Sequence, residues 1–157
     1  MTQVSESDLY VETSGQDTSL PLFAAGTGFF YFDRYEVTDV NERTQDGGPG
    51  KAIRCFFKNE DEMPIHDSDS NFAPDQHSIM EYLPLQPMDW QDDEEEYSKN
   101  IARFQDRLTG SDKSNRPNFG KEWLDENLQS RVELVVTCNP DKKTGQLRNN
   151  IKTMKPA

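Results

Sequence analysis

The amino-acid sequence predicts a mainly β protein: an antiparallel sheet with one packed α-helix, or α+β if helices are counted. Three observations predict it. Two segments dense in aromatic and β-branched residues flank an emphatic glycine turn at 46–50. Two further strand-like segments flank a turn at 139–145. Only one stretch, 92–108, shows strong helical periodicity.

Taken in order, residues 1–20 read as a flexible acidic arm, rich in Ser, Thr, Gln, Asp and Glu. Residues 21–157 read as a single β-rich binding domain. Leu20 to Phe23 is a short apolar patch suited to pinning the arm. Phe29 to Val40 is the first strand, with Phe30, Phe32, Arg34 and Glu36 on one face and Tyr31, Asp33, Tyr35 and Val37 on the other. Asp46-Gly47-Gly48-Pro49-Gly50 turns the chain into a second strand, Lys51 to Lys58. Its Ile53, Cys55 and Phe57 share one face, and Arg54, Phe56 and Lys58 share the other.

Residues 59–91 read as a long acidic loop carrying Pro64, Pro74, Pro84 and Pro87. Within it Ile79 to Leu85 forms a short strand, which Pro84 confines to a sheet edge. The helix follows, with Tyr97, Ile101, Phe104 and Leu108 on its apolar stripe. The acidic run Asp92 to Glu96 favours its N-terminus, and Gly110 stops it. Ser111 to Asn118 is a polar linker, and Lys121 to Leu128 gives a helical turn or two. Val132 to Cys138 is a strand with Val132, Leu134, Val136 and Cys138 on one face. Leu147 to Met154 returns beside it, with Leu147 and Ile151 inward and Arg148, Asn150 and Lys152 outward.

Charge is unevenly placed. Residues 1–100 hold 6 Lys/Arg against 22 Asp/Glu, a net of -16, whereas residues 101–157 hold 11 against 7, a net of +4. No run approaches the roughly 20 apolar residues of a membrane helix. Residues 1–16 lack the pattern of a secretory signal, so a cytoplasmic location is expected, with Cys55 and Cys138 as thiols. The spacing of Cys55, His66, His77 and Cys138 matches no compact zinc motif, and no metal or other cofactor is expected. No nucleophile elbow, phosphate loop, metalloprotease motif or paired cysteine motif occurs, so the chain does not read as an enzyme.

Binding chemistry is better represented. Arg54, Phe56 and Lys58 interleave cations with an aromatic ring. Lys142, Lys143, Arg148 and Lys152 add charge on the last hairpin. Unpaired bases stack on aromatic planes while cations follow the phosphates, so these seven residues form a candidate single-stranded DNA site.

The chain also resembles a family. Tyr35-Glu36-Val37 leading to Gly47-Gly48-Pro49-Gly50 is similar to the phage-encoded proteins of the domain-of-unknown-function 669 group. So are Phe119-Gly120-Lys121-Glu122-Trp123-Leu124 before the strand Val132 to Thr137, and Gly145 to Lys152 closing at Lys155-Pro156. The resemblance covers residues 29–58 and 119–156. It implies an OB-like barrel and a single-strand DNA binder of a phage replication or recombination module, placed in the host cytoplasm. Replication or recombination proteins, and a second copy in a homo-oligomer, are further expected partners. The acidic, proline-rich residues 59–92 depart from the family pattern. The competing reading is an acidic interaction protein, a DNA mimic or a phage assembly adaptor.

The arm generates a prediction. Glu6, Asp8, Glu12 and Asp17 repel DNA phosphates, but exposed charges beyond about 10 Å are screened at 0.1 M salt. Deleting residues 1–20 is expected to tighten DNA binding at low salt and change it little at high salt, measured by fluorescence anisotropy.

Overall fold

Phe30, Phe32, Phe57, Val132 and Leu134 are all fully buried, and the elements that carry them form one antiparallel sheet. The computed structural model describes residues 10, 11, 14, 22–41, 43–61, 63–64 and 78–157. The strands are β1 (Gly26–Val40), β2 (Gly50–Asn59), β3 (Ser78–Pro84), β4 (Arg131–Pro140) and β5 (Leu147–Pro156). The helices are α1 (Glu96–Thr109) and α2 (Lys121–Glu126). The expected arm, 1–20, lies outside the described residues apart from 10, 11 and 14, as does most of the loop expected before β3.

The sheet order is β3-β2-β1-β4-β5. Strands β1 to β3 form a meander and β4 returns beside β1, which is a Greek key. β1 is long enough to serve two partners: Gly26 to Tyr31 pairs with β4, and Phe30 to Val40 pairs with β2. The sheet curls until its edge strands β3 and β5 approach each other without ladder hydrogen bonds, and α1 packs against both. This is an OB-like, partly open five-stranded barrel with its helix between the third and fourth strands.

The interior is aromatic. The Phe32 and Phe57 rings stack at 5.5 Å, and Phe104 of α1 meets their edges at 6.4 and 6.2 Å. Trp123 of α2 stands 6.1 Å from Phe104, so the Phe119 to Leu124 motif seats the second helix on the first. Ile101, Phe104 and Leu108 are buried, as the periodicity predicts.

Several local expectations are corrected. The alternation of β1 does not run through, because a register shift lies between Phe32 and Arg34. An uninterrupted strand would carry Arg34 inward behind Phe30 and Phe32. The bulge at Asp33 turns it out beside Phe56 instead and brings Tyr35 against the core. A second irregularity, between Val135 and Val136, leaves Lys152 of β5 without a partner in the ladder. Met154 is then buried beside Leu134, whereas Leu147, expected inward, is exposed beside Pro140 at the barrel's end. α1 begins at Glu96 rather than Asp92, because the Asp93 carboxylate accepts the Glu95 N–H at 2.8 Å and closes a turn that competes with helix. Gly110, at φ 73°, ends it. A Cβ at Gly28 would lie 2.4 Å from the Met63 sulfur, so a larger residue there requires the Met63 side chain to shift.

Among the described residues no helix is long and apolar enough to cross a membrane. Phe104→Ala is expected to lower the unfolding free energy by about 3–5 kcal/mol in urea denaturation. A loss below about 1 kcal/mol would show that α1 is not part of the core.

Candidate nucleic-acid interface

Pairing of β1, β2 and β3 sets three rows across the outer face of the sheet. Glu36, Arg54 and Tyr82 form one row, Arg34, Phe56 and Met80 the next, and Tyr31, Lys58 and Ser78 the third. Directly opposed side chains on one face lie about 5 Å apart, so each row is continuous. The outward set on β2 is the predicted Arg54, Phe56 and Lys58; the rows add Arg34, Met80 and Tyr82, which sequence reasoning did not single out.

Phe56 is not a bare ring. It is half-buried, and the Arg34 guanidinium lies 3.9 Å above its centroid. Arg34 is itself held by Glu36 and Asp33. A base would stack on the guanidinium plane rather than on Phe56. The open aromatic surface belongs to Tyr82, 38% exposed, beside Met80 at 41%. The alternation of Met80 and Tyr82 was visible in the sequence, but their placement beside β2 needed the pairing register.

One end of the face is closed. Val40, Ala52 and Met88 form a small separate cluster over the far end of β1 and β2. Met88 is fixed by its N–H donating to Gln91 Oε1 at 2.9 Å, and Gln45 Nε2 donates to the Gln91 carbonyl at 3.0 Å. Trp90, on this pinned segment, is 55% exposed between Asp89 and Asp92.

The other boundary is the seam. A cleft of about 480 Å3 lies between β3 and β5, walled by Met80, Tyr82, Leu147 and Ile151 and flanked by Arg148. The structure therefore brings Arg148 to the face that carries Tyr82. Arg148 ion-pairs at 3.4 Å with Asp141. Backbone N–H groups of Lys143 and Thr144, helped by Arg148, hold the Asp141 carboxyl below its ordinary range. Lys142 and Lys143 are exposed on the turn that leads into β5. Lys152 is exposed at the β5 bulge and is not among the cleft residues, so it does not join the others.

Glu81 also lines the cleft. It alternates inward between Ile79 and Leu83, opposite Cys55, where the seam stays open. Glu81 is partly buried, and its carboxylate makes no hydrogen bond or ion pair among the described residues. Burial pushes its pKa up, and Arg107 of α1 opposes the shift. Burial likewise pushes the Cys55 thiol above its ordinary range. No group of three or more His, Cys, Asp and Glu among the described residues is placed to hold a metal, and His66 and His77 lie outside them.

Comparison with protein-family models and with curated proteins finds no match to this chain.

Glu81 generates a stability prediction. A carboxyl whose folded pKa is raised destabilises the fold only when ionised. The penalty is absent below the ordinary carboxylate range and grows as pH rises through the raised value. Arg107 of α1 is the charge that acts on it, and the un-ionised Cys55 lies opposite on β2. Glu81→Gln is expected to raise unfolding free energy at pH 7 and to change it much less at pH 4, read from paired urea titrations.

Proposed function

We propose that this protein binds single-stranded DNA across the outer face of β2 and β3, with the strand continuing toward the β3–β5 seam. The observation that carries the reading is the face itself. Arg34, Arg54 and Lys58 alternate with Phe56, Met80 and Tyr82 on adjacent strands, and Arg148 stands across the seam. Cations follow phosphates, and planar groups take unpaired bases whatever their identity. On OB barrels the face of the second and third strands is the one that takes oligonucleotides. The acid of residues 89–96 lies on the segment before α1 and in its first turn, not on these rows. The resemblance to the phage group supports a place in a phage replication or recombination module in the host cytoplasm, alongside replication or recombination proteins.

A second reading has one observation in its favour. Trp90 stands exposed among Asp89, Asp92, Asp93 and Glu94 on a pinned segment, which suits a basic partner protein. In that reading DNA is not bound and Trp90→Ala abolishes partner capture.

Fluorescence anisotropy with labelled oligo-dT across a salt series tests the first reading. Binding is expected at low salt. With about three phosphate contacts, log affinity should fall against log salt with a slope of about -2. Tyr82→Ala should weaken binding about 5- to 150-fold, the range of one lost stacking partner. Absence of binding at low salt overturns the proposal.

A further inference from the structure

Two arginines on the outer face of the sheet are built alike. The Arg34 guanidinium lies 3.9 Å over the Phe56 ring, and the Arg131 guanidinium lies 4.1 Å over Phe29. Each is also held by carboxylates. Arg34 is held by Glu36 and Asp33; Arg131 Nε donates to both oxygens of Glu60 at 2.9 and 2.8 Å. Both side chains keep about half their surface in solvent, 50% and 48%.

The second pair is fixed by the chain that follows β2. The Phe29 N–H donates to the Asp61 carboxylate at 2.8 Å. Its carbonyl accepts from the Glu60 N–H at 2.9 Å and from Asn59 Nδ2 at 3.1 Å. Residues 59–61 thus hold the backbone beneath the ring and, through the Glu60 side chain, the guanidinium above it. Tyr31 stands between the two pairs on β1, opposite Arg131 on β4 and Lys58 on β2. Phe29 and Tyr31 lie roughly 6.6 Å apart along the strand, about twice the rise of stacked bases in a duplex, which suits splayed bases.

A guanidinium so placed is a poor phosphate ligand, because its own carboxylate offsets its charge in an exposed setting. It is a good stacking surface: planar, weakly hydrated and already ordered, so a base landing on it immobilises little. We propose that Arg131, held over Phe29 by Glu60, is a second base-stacking platform, and that the single strand continues from β2 and β3 across Tyr31 to β4. This rests on the single-strand reading of the neighbouring face. Arg34 on Phe56 is the first platform, and Lys58, which makes no ion pair among the described residues, takes a phosphate between them.

The test uses the full chain, labelled oligo-dT, and an oligomer of the same length whose residues are abasic. The abasic strand keeps the phosphates and lacks the bases. Arg131→Lys keeps the charge and loses the plane. It should weaken oligo-dT binding about tenfold, leave the salt slope unchanged, and bind the abasic strand like wild type. Glu60→Gln decides by sign. It removes a negative charge but loosens the clamp, so oligo-dT binding should weaken; a phosphate-binding arginine would bind more tightly once its carboxylate is gone. Wild-type affinity of Arg131→Lys for oligo-dT, equal weakening on the abasic strand, or tighter binding by Glu60→Gln each overturns the platform and leaves single-strand binding standing. No binding of either oligomer by the wild type overturns the reading beneath both.

Discussion

Phe32 stacks on Phe57 at 5.5 Å, and Phe104 closes on both rings from α1. The rest of the structure depends on this contact. It joins the two strands of the opening hairpin to the helix that lies across the open side of the barrel. Because Phe30 and Phe32 must both face inward, the next residue of that parity, Arg34, would be driven into the core. An unpaired buried guanidinium would cost several kcal/mol. The bulge at Asp33 removes the conflict by inserting one residue, and its consequence is the outer row of Arg34, Phe56 and Met80. The charged face is thus a by-product of the requirement that the aromatic centre stay dry.

The open seam follows from the same geometry. Five strands curl far enough to bring β3 near β5 but not far enough to join them. α1 covers the inner part of the gap with Ile101, Phe104 and Leu108. What remains uncovered is the cleft walled by Met80, Tyr82, Leu147 and Ile151 and flanked by Arg148. Unpaired edge strands are commonly shielded; here polar and aromatic side chains from both edges line the gap.

The charge balance of the whole chain is a poor guide to this surface. A net charge of -12 suggests repulsion of nucleic acid. On the described face, however, the acids are Glu36 and Asp33, both engaged by Arg34. The dense acid of residues 92–96 precedes and opens α1, where Asp93 bonds the Glu95 N–H and pairs with Lys99. Field strength at a face is set by its nearest groups, since solvent and salt screen the remainder beyond about 10 Å at 0.1 M salt.

Local pattern alone determined the strand and helix types, the two hairpin turns, the α1 stripe and the outward trio Arg54, Phe56 and Lys58. These follow from periodicity and turn chemistry, which act between residues close in the chain. The breaks in alternation at Asp33 and Lys152 were decided by tertiary structure. A bulge is chosen by what the interior will accept from strands far apart in sequence. The role of residues 78–84 was decided there too. Read alone, Ile79 to Leu85 is a short edge strand; only its register against β2 sets Tyr82 beside Arg54. Only the curl of the sheet brings Arg148, 66 positions further along the chain, to the same cleft.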